Sequence, residues 1–130
     1  DYFVVELSSF QLHYLSELSA CTSAFLNIAD DHLDWHGDFD SYLEAKAKIY
    51  ERTQHAAVYN VEDSNTEKAL ENADVIEGCR AIGFTLATPS VSMVGYVEDV
   101  LADRAFLDDR ANNEHAFVSL QQRMQMHYCL

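Results

Sequence analysis

Four short apolar runs, at residues 2–7, 22–28, 56–60 and 79–84, alternate with helix-like stretches, and that alternation constrains the fold more than any other feature. The first run is apolar apart from Glu6, the pattern of a strand buried on both faces. Phe10, Leu12, Tyr14, Leu15 and Leu18 then give an untidy helical pattern through residue 18. Ser41 with Glu44 reads as a capping box opening a helix to about Arg52, and Ser64 with Glu67 opens another to about Ala73. Strand, helix, strand in repetition predicts an α/β fold with a mostly parallel sheet and crossover helices. Beyond Pro89, residues 91–97 and 100–107 predict short antiparallel ribbons added to that sheet. Residues 108–130 lack a clear apolar period and are expected as a polar tail, non-native or disordered.

The chemistry concentrates at Asp30, Asp31, His32, Asp34 and His36, directly after the second run. Carboxylates with phosphate and water suit magnesium, whereas His32 and His36 with a carboxylate suit zinc, so the pattern alone leaves both open. Glu6 ends the first predicted strand, at the edge where open α/β sheets bind ligands; pairing with a base or a cap is the plainer role for it. Lys46 falls on the stripe of Phe39, Tyr42, Leu43, Ile49 and Tyr50, while Lys48 is expected to face solvent. An inward lysine is costly unless it is paired, neutralised or chemically altered, or unless its stem snorkels along the core edge.

Composition narrows the partners. Eight Lys and Arg against 22 Asp and Glu give a net charge of −14, which excludes a nucleic-acid groove and an anionic membrane surface as the main partner. Cys21, Cys79 and Cys129 form no C-x-x-C pair, so a disulfide framework or structural zinc is not expected, and a reducing cytosol fits. The chain has no run long enough to span a bilayer and no signal-peptide pattern at its start. It starts at Asp1 with an apolar run, so the natural start is expected upstream. No glycine loop for phosphate occurs among its four glycines.

Three ordered motifs carry a family resemblance. Glu6-Leu7-Ser8-Ser9-Phe10-Gln11-Leu12, then Leu26-Asn27-Ile28 with Asp31-His32-Leu33-Asp34, then Tyr42, Ala45-Lys46 and Ile49-Tyr50 together resemble the central ATPase domain of the Mur ligases, over about residues 2–107. The first motif is similar to that of the branch that adds D-glutamate. The resemblance implies an incomplete P-loop-type central domain, with the phosphate loop upstream, working in peptidoglycan precursor synthesis. It implies an ATP-dependent ligase using UDP-N-acetylmuramoyl-L-alanine, D-glutamate and Mg2+, acting as a cytoplasmic monomer. It also assigns residues: Glu6, His32 and a carbamylated Lys46 to magnesium, His32 and Lys46 to catalysis, Asp31 to support of the metal site, and Ser8 and Gln11 to the UDP-muramoyl substrate. The family's H-N-x-x-N segment is not found, and residues after about Glu114 do not match, so this chain alone is expected to be inactive. Two other readings stand beside it: a metal-dependent hydrolase built on Asp31, His32, Asp34 and His36, and a non-catalytic acidic module.

Overall fold

A computed structural model describes residues 1–29 and 33–119. The chain forms two compact units, one over Asp1–Ala81 and the other from Ile82 onward. The class is α/β, as the alternating pattern predicts.

In the first unit the order is α1 (Ser9–Tyr14), β1 (Thr22–Phe25), α2 (Leu33–His36), α3 (Phe39–Ala47) with a 3-10 turn (Lys48–Tyr50), β2 (Ala56–Asn60) and α4 (Ser64–Glu71). β1 and β2 pair in parallel, Thr22 opposite Ala56 and Phe25 opposite Tyr59, which requires the crossover that α2 and α3 provide. Phe25, Tyr50, Ala57 and Ala69 form the core, with Ile28, Leu43, Ala47 and Ile49 packed around them. Burying a side chain the size of Phe25 stabilises by about 1.5–3 kcal/mol. Polar groups inside are paired. The Tyr50 hydroxyl donates to the Val58 carbonyl at 2.8 Å. Thr53 Oγ1 donates to the Tyr50 carbonyl at 2.8 Å and lies 2.6 Å from Ser23 Oγ, so the Ser23 hydroxyl is the donor of that second bond.

The first apolar run departs from expectation. Residues 2–7 form no strand, and Tyr2, Phe3 and Val4 are 96%, 93% and 99% exposed. A strand hidden on both faces needs neighbours to take its backbone N–H and C=O groups, and among the described residues none pairs with this segment. α1 also stops early. Leu15 turns extended and its N–H bonds back to the Gln11 carbonyl at 3.1 Å; Leu12 is buried, whereas Tyr14 is 76% exposed and meets the rings of His13 and Trp35 edge to face.

Neither expected capping box forms. Asp38 caps α3, its carboxylate accepting the Ser41 N–H at 2.8 Å, a bond that holds its carboxyl below the usual range. Asp63 caps α4 through the Asn65 N–H. In both cases a carboxylate one or more residues earlier takes the free N–H groups first, because a charged acceptor suits the positive helix end better than a hydroxyl.

β3 (Arg80–Phe84) leads into the second unit, which adds β4 (Met93–Val97), β5 (Val100–Asp103) and β6 (His115–Ser119). β4 pairs parallel to β3 and antiparallel to β5, so the expected ribbon continues the parallel pairing as well as reversing it. Residues 115–119 lie in the stretch expected as a tail, yet β6 pairs antiparallel with β5. Gly95 lies where a Cβ would meet the Ala87 carbonyl oxygen and, at 2.7 Å, the Thr85 methyl; Tyr96 donates its N–H to that same carbonyl at 2.9 Å. The Asp103 carboxylate is buried and closes the turn after β5 by accepting the Ala105 and Phe106 N–H groups at 2.7 and 3.0 Å.

Candidate active site

Glu6 and Lys46 line the same two clefts of the first unit. One, of about 400 Å3, is bordered by Glu6, Leu7, Ser8, Ser9, Gln11, Tyr42 and Lys46. The other, of about 510 Å3, runs from residues 4–7 to residues 24–27 with Lys46 and Ile49 between them. Four of the residues assigned by resemblance, Glu6, Ser8, Gln11 and Lys46, therefore meet in one place, three from the stretch of residues 6–11 and one from α3. Asp31 and His32 lie outside the described residues.

Local structure explains how each reaches the clefts. Lys46 sits in the last turn of α3, where Tyr42 and Ala45 are buried, and its own side chain is half-buried. Its ammonium lies 5.8 Å from the centre of the Phe25 ring, which turns a negative face toward the cation. Lys46 is thus inward, as its place on the stripe predicts. Lys48 is not the plain solvent-facing lysine expected; it is half-buried and donates to the His13 carbonyl at 3.2 Å. Glu6 is exposed near the end of the first segment, two residues before Ser8, the cap of α1.

Ser8 and Gln11 hold one another. The Ser8 Oγ accepts the Gln11 N–H at 3.3 Å, and Gln11 Oε1 accepts the Ser8 N–H at 2.8 Å and the Ser8 hydroxyl at 3.0 Å. This is a capping box with Gln at its third position. Both bonds to the Gln11 side chain fall on Oε1, so the NH2 of Gln11, a residue that borders the cleft, takes no part in the box.

The hydrolase reading finds no support here. His36 Nε2 lies 3.0 Å from Ser9 Oγ, and its ring packs with Phe10, Trp35 and Tyr42 at centroid distances of 5.7, 4.5 and 5.2 Å. Among the described residues no three His, Cys, Asp or Glu side chains gather to hold a metal ion. Glu6 does present a single carboxylate, the number magnesium takes when phosphates and water complete its shell. No helix among the described residues is long and apolar enough to cross a membrane.

Sequence reasoning passed over Asn27, which lines the wider cleft. It stands in the Leu26-Asn27-Ile28 motif and is a lone carboxamide in the apolar run after residue 22, but neither signal assigned it a role. Asn60 and Asp63, which brace that run from the end of β2 and the turn after it, carried no signal at all, since turn residues are polar everywhere.

The parallel pairing of β1 with β2, the crossover helices between them, and Lys46 lining a cleft with Glu6 of the first segment describe an α/β domain of one particular class. Residues 1–122 match the Mur ligase middle domain, and the chain belongs to that family. It is 54% identical over 113 residues to the protein of Streptomyces avermitilis named UDP-N-acetylmuramoylalanine--D-glutamate ligase, covering 87% of this chain and 24% of that protein. The proteins of the same name in Streptomyces coelicolor and Leifsonia xyli subsp. xyli are 55% and 50% identical, over 87% and 94% of this chain and 24% and 25% of their own lengths. The chain therefore spans about a quarter of the length of these curated relatives.

Proposed function

We propose that the protein carrying this chain is an ATP-dependent ligase that joins D-glutamate to UDP-N-acetylmuramoyl-L-alanine in peptidoglycan precursor synthesis. The observation that carries the reading is the meeting of Glu6, Ser8, Gln11 and Lys46 around one cleft. The names of the relatives support the choice of substrates.

The chemistry runs in two displacements. A carboxylate oxygen of the alanyl substrate attacks the γ-phosphorus of ATP, the bond to the bridging oxygen breaks, and ADP leaves an acyl phosphate. The D-glutamate nitrogen then attacks the acyl carbon, loses a proton and expels phosphate as the amide forms. Glu6, His32 and Lys46, the last as a carbamate, are the residues that would hold magnesium, with Asp31 in support. Bound there, magnesium supplies neutralising charge for phosphates that would otherwise meet a strongly acidic protein. Carbamylation resolves the cost of an inward ammonium by making it an anion, and the half-buried stem keeps that anion beside Glu6. Ser8 and Gln11, locked together, present a hydroxyl and an amide to the muramoyl substrate. The protein works in the cytoplasm as a monomer, and this chain by itself lacks turnover.

The test is ADP release by the full-length protein. Release that requires both UDP-N-acetylmuramoyl-L-alanine and D-glutamate supports the reading; release with neither, or none with both, overturns it.

A further inference from the structure

Two side chains, Asn60 at the end of β2 and Asp63 in the turn after it, reach the segment that leaves β1. Asn60 Nδ2 donates to the Leu26 carbonyl at 2.9 Å, and Asp63 Oδ2 accepts the Ile28 N–H at 2.8 Å. The Asn60 amide is oriented, because its Oδ1 accepts the Glu62 N–H at 2.9 Å and so turns the NH2 toward Leu26. Asp63 is likewise held at both oxygens, the other accepting the Asn65 N–H at 3.1 Å. Behind them the Thr66 side chain is fully buried; its hydroxyl accepts the Asn60 N–H at 3.0 Å and lies within 3.0 Å of the Asn60 and Asp63 carbonyls.

Between the two clamped residues stands Asn27. It lines the cleft that also contains Glu6 and Lys46, it is exposed, and its carboxamide has no hydrogen-bond partner among the described residues. A backbone pinned on both sides gives a short polar side chain little freedom to leave its direction, which is how a contact is held ready for a ligand. A carboxamide N–H is a neutral donor that can bond an anionic oxygen in a cleft whose lining carries one carboxylate, Glu6, and one ammonium, Lys46.

We propose that Asn27 is a further ligand-contacting residue, donating from its carboxamide to an anionic oxygen of the bound substrate, and that Asn60 and Asp63 are positioning residues that hold it there. The inference rests on the ligase reading above. The oxygen belongs either to the ATP phosphates or to the carboxylate of the alanyl substrate.

Steady-state kinetics of the full-length protein separate these outcomes. Asn27→Ala lowers kcat/KM by about 10- to 100-fold, the worth of a hydrogen bond to a charged group, with the melting temperature unchanged because the side chain is exposed. A raised KM for ATP assigns the phosphate; a raised KM for UDP-N-acetylmuramoyl-L-alanine assigns the carboxylate. Asn60→Asp replaces the donor to Leu26 with an acceptor and lowers kcat/KM in the wild-type background, but adds no further loss to Asn27→Ala, since it acts through that residue. If Asn60→Asp does not fold, Asp63→Asn, which keeps one acceptor oxygen, takes its place in the cycle. Wild-type kcat/KM in Asn27→Ala, or losses that simply add in the double variant, overturns the proposal while leaving the ligase reading intact. If the wild-type protein itself releases no ADP with both substrates, the ligase reading fails and the inference with it.

Discussion

Ser8 and Gln11 are each other's partners, the Ser8 N–H reaching Gln11 Oε1 at 2.8 Å and the Gln11 N–H reaching Ser8 Oγ at 3.3 Å. The pair that the family resemblance assigns to substrate is therefore also the N-terminal cap of α1. One arrangement would serve both ends, because the cap fixes the rotamers of two side chains that border the cleft.

That double duty can be separated by substitution. Gln11→Ala removes half of the cap and costs about 1 kcal/mol in urea unfolding. Gln11→Glu keeps an acceptor for the Ser8 N–H, so stability changes by only a few tenths of a kcal/mol, while KM for the anionic nucleotide-sugar substrate rises. An unchanged KM in Gln11→Glu removes Gln11 from the substrate site.

Lys46 is expected to carry a carbamate. With 13C-bicarbonate, the wild-type full-length protein shows a carbamate carbon resonance that Lys46→Ala lacks. The same substitution lowers kcat by about 100- to 1000-fold, the scale on which preorganised charge-stabilising groups act. Near-wild-type turnover in Lys46→Ala contradicts the role.

The Tyr50 hydroxyl, buried and bonded to the Val58 carbonyl, sets an alkaline limit on stability. Desolvation pushes its pKa well above the ordinary tyrosine range, with the neighbouring Tyr59 adding to the shift. Below about pH 10 the hydroxyl is neutral in both folded and unfolded chains, and its contribution is complete. Above that, the unfolded chain ionises and the folded one does not, so the unfolded state binds fewer protons and stability falls as pH rises. Burial raises Tyr59 and Cys79 in the same sense. Tyr50→Phe flattens the decline measured by chemical unfolding above about pH 10, at a cost near neutrality of about 1–2 kcal/mol for the orphaned carbonyl.

Gly95 is required for space. Gly95→Ala drives a methyl group into the Ala87 carbonyl, which already accepts the Tyr96 N–H. The expected loss is about 1–3 kcal/mol, read as a lowered urea midpoint with the slope of the transition unchanged. A midpoint equal to the wild type would mean that the loop of Ala87 moves aside freely.

Much of the fold was legible because its signals are local. β2 at Ala56–Asn60 was readable to the residue, since an apolar run bounded by polar turns admits little else. The inward direction of Lys46 follows from its spacing to Tyr42 and Tyr50 along one helical stripe, as the structure bears out. Helix starts were less legible. Ser41 and Ser64 each head a capping pattern, but Asp38 and Asp63 compete for the same N–H groups, and only the backbone path decides which acceptor reaches them.

Sequence alone determined the α/β class and the family, because periodicity and motif spacing are properties of neighbours in the chain. Tertiary structure decided what depends on distant partners. Residues 2–7 have every local mark of a buried strand, yet Tyr2, Phe3 and Val4 are exposed, because burial is supplied by what packs alongside and not by the residue itself. In the same way nothing near Asn27 in the chain announces its bracing by Asn60 and Asp63, since those hydrogen bonds exist only once the parallel pairing of β1 with β2 brings the two strand exits side by side.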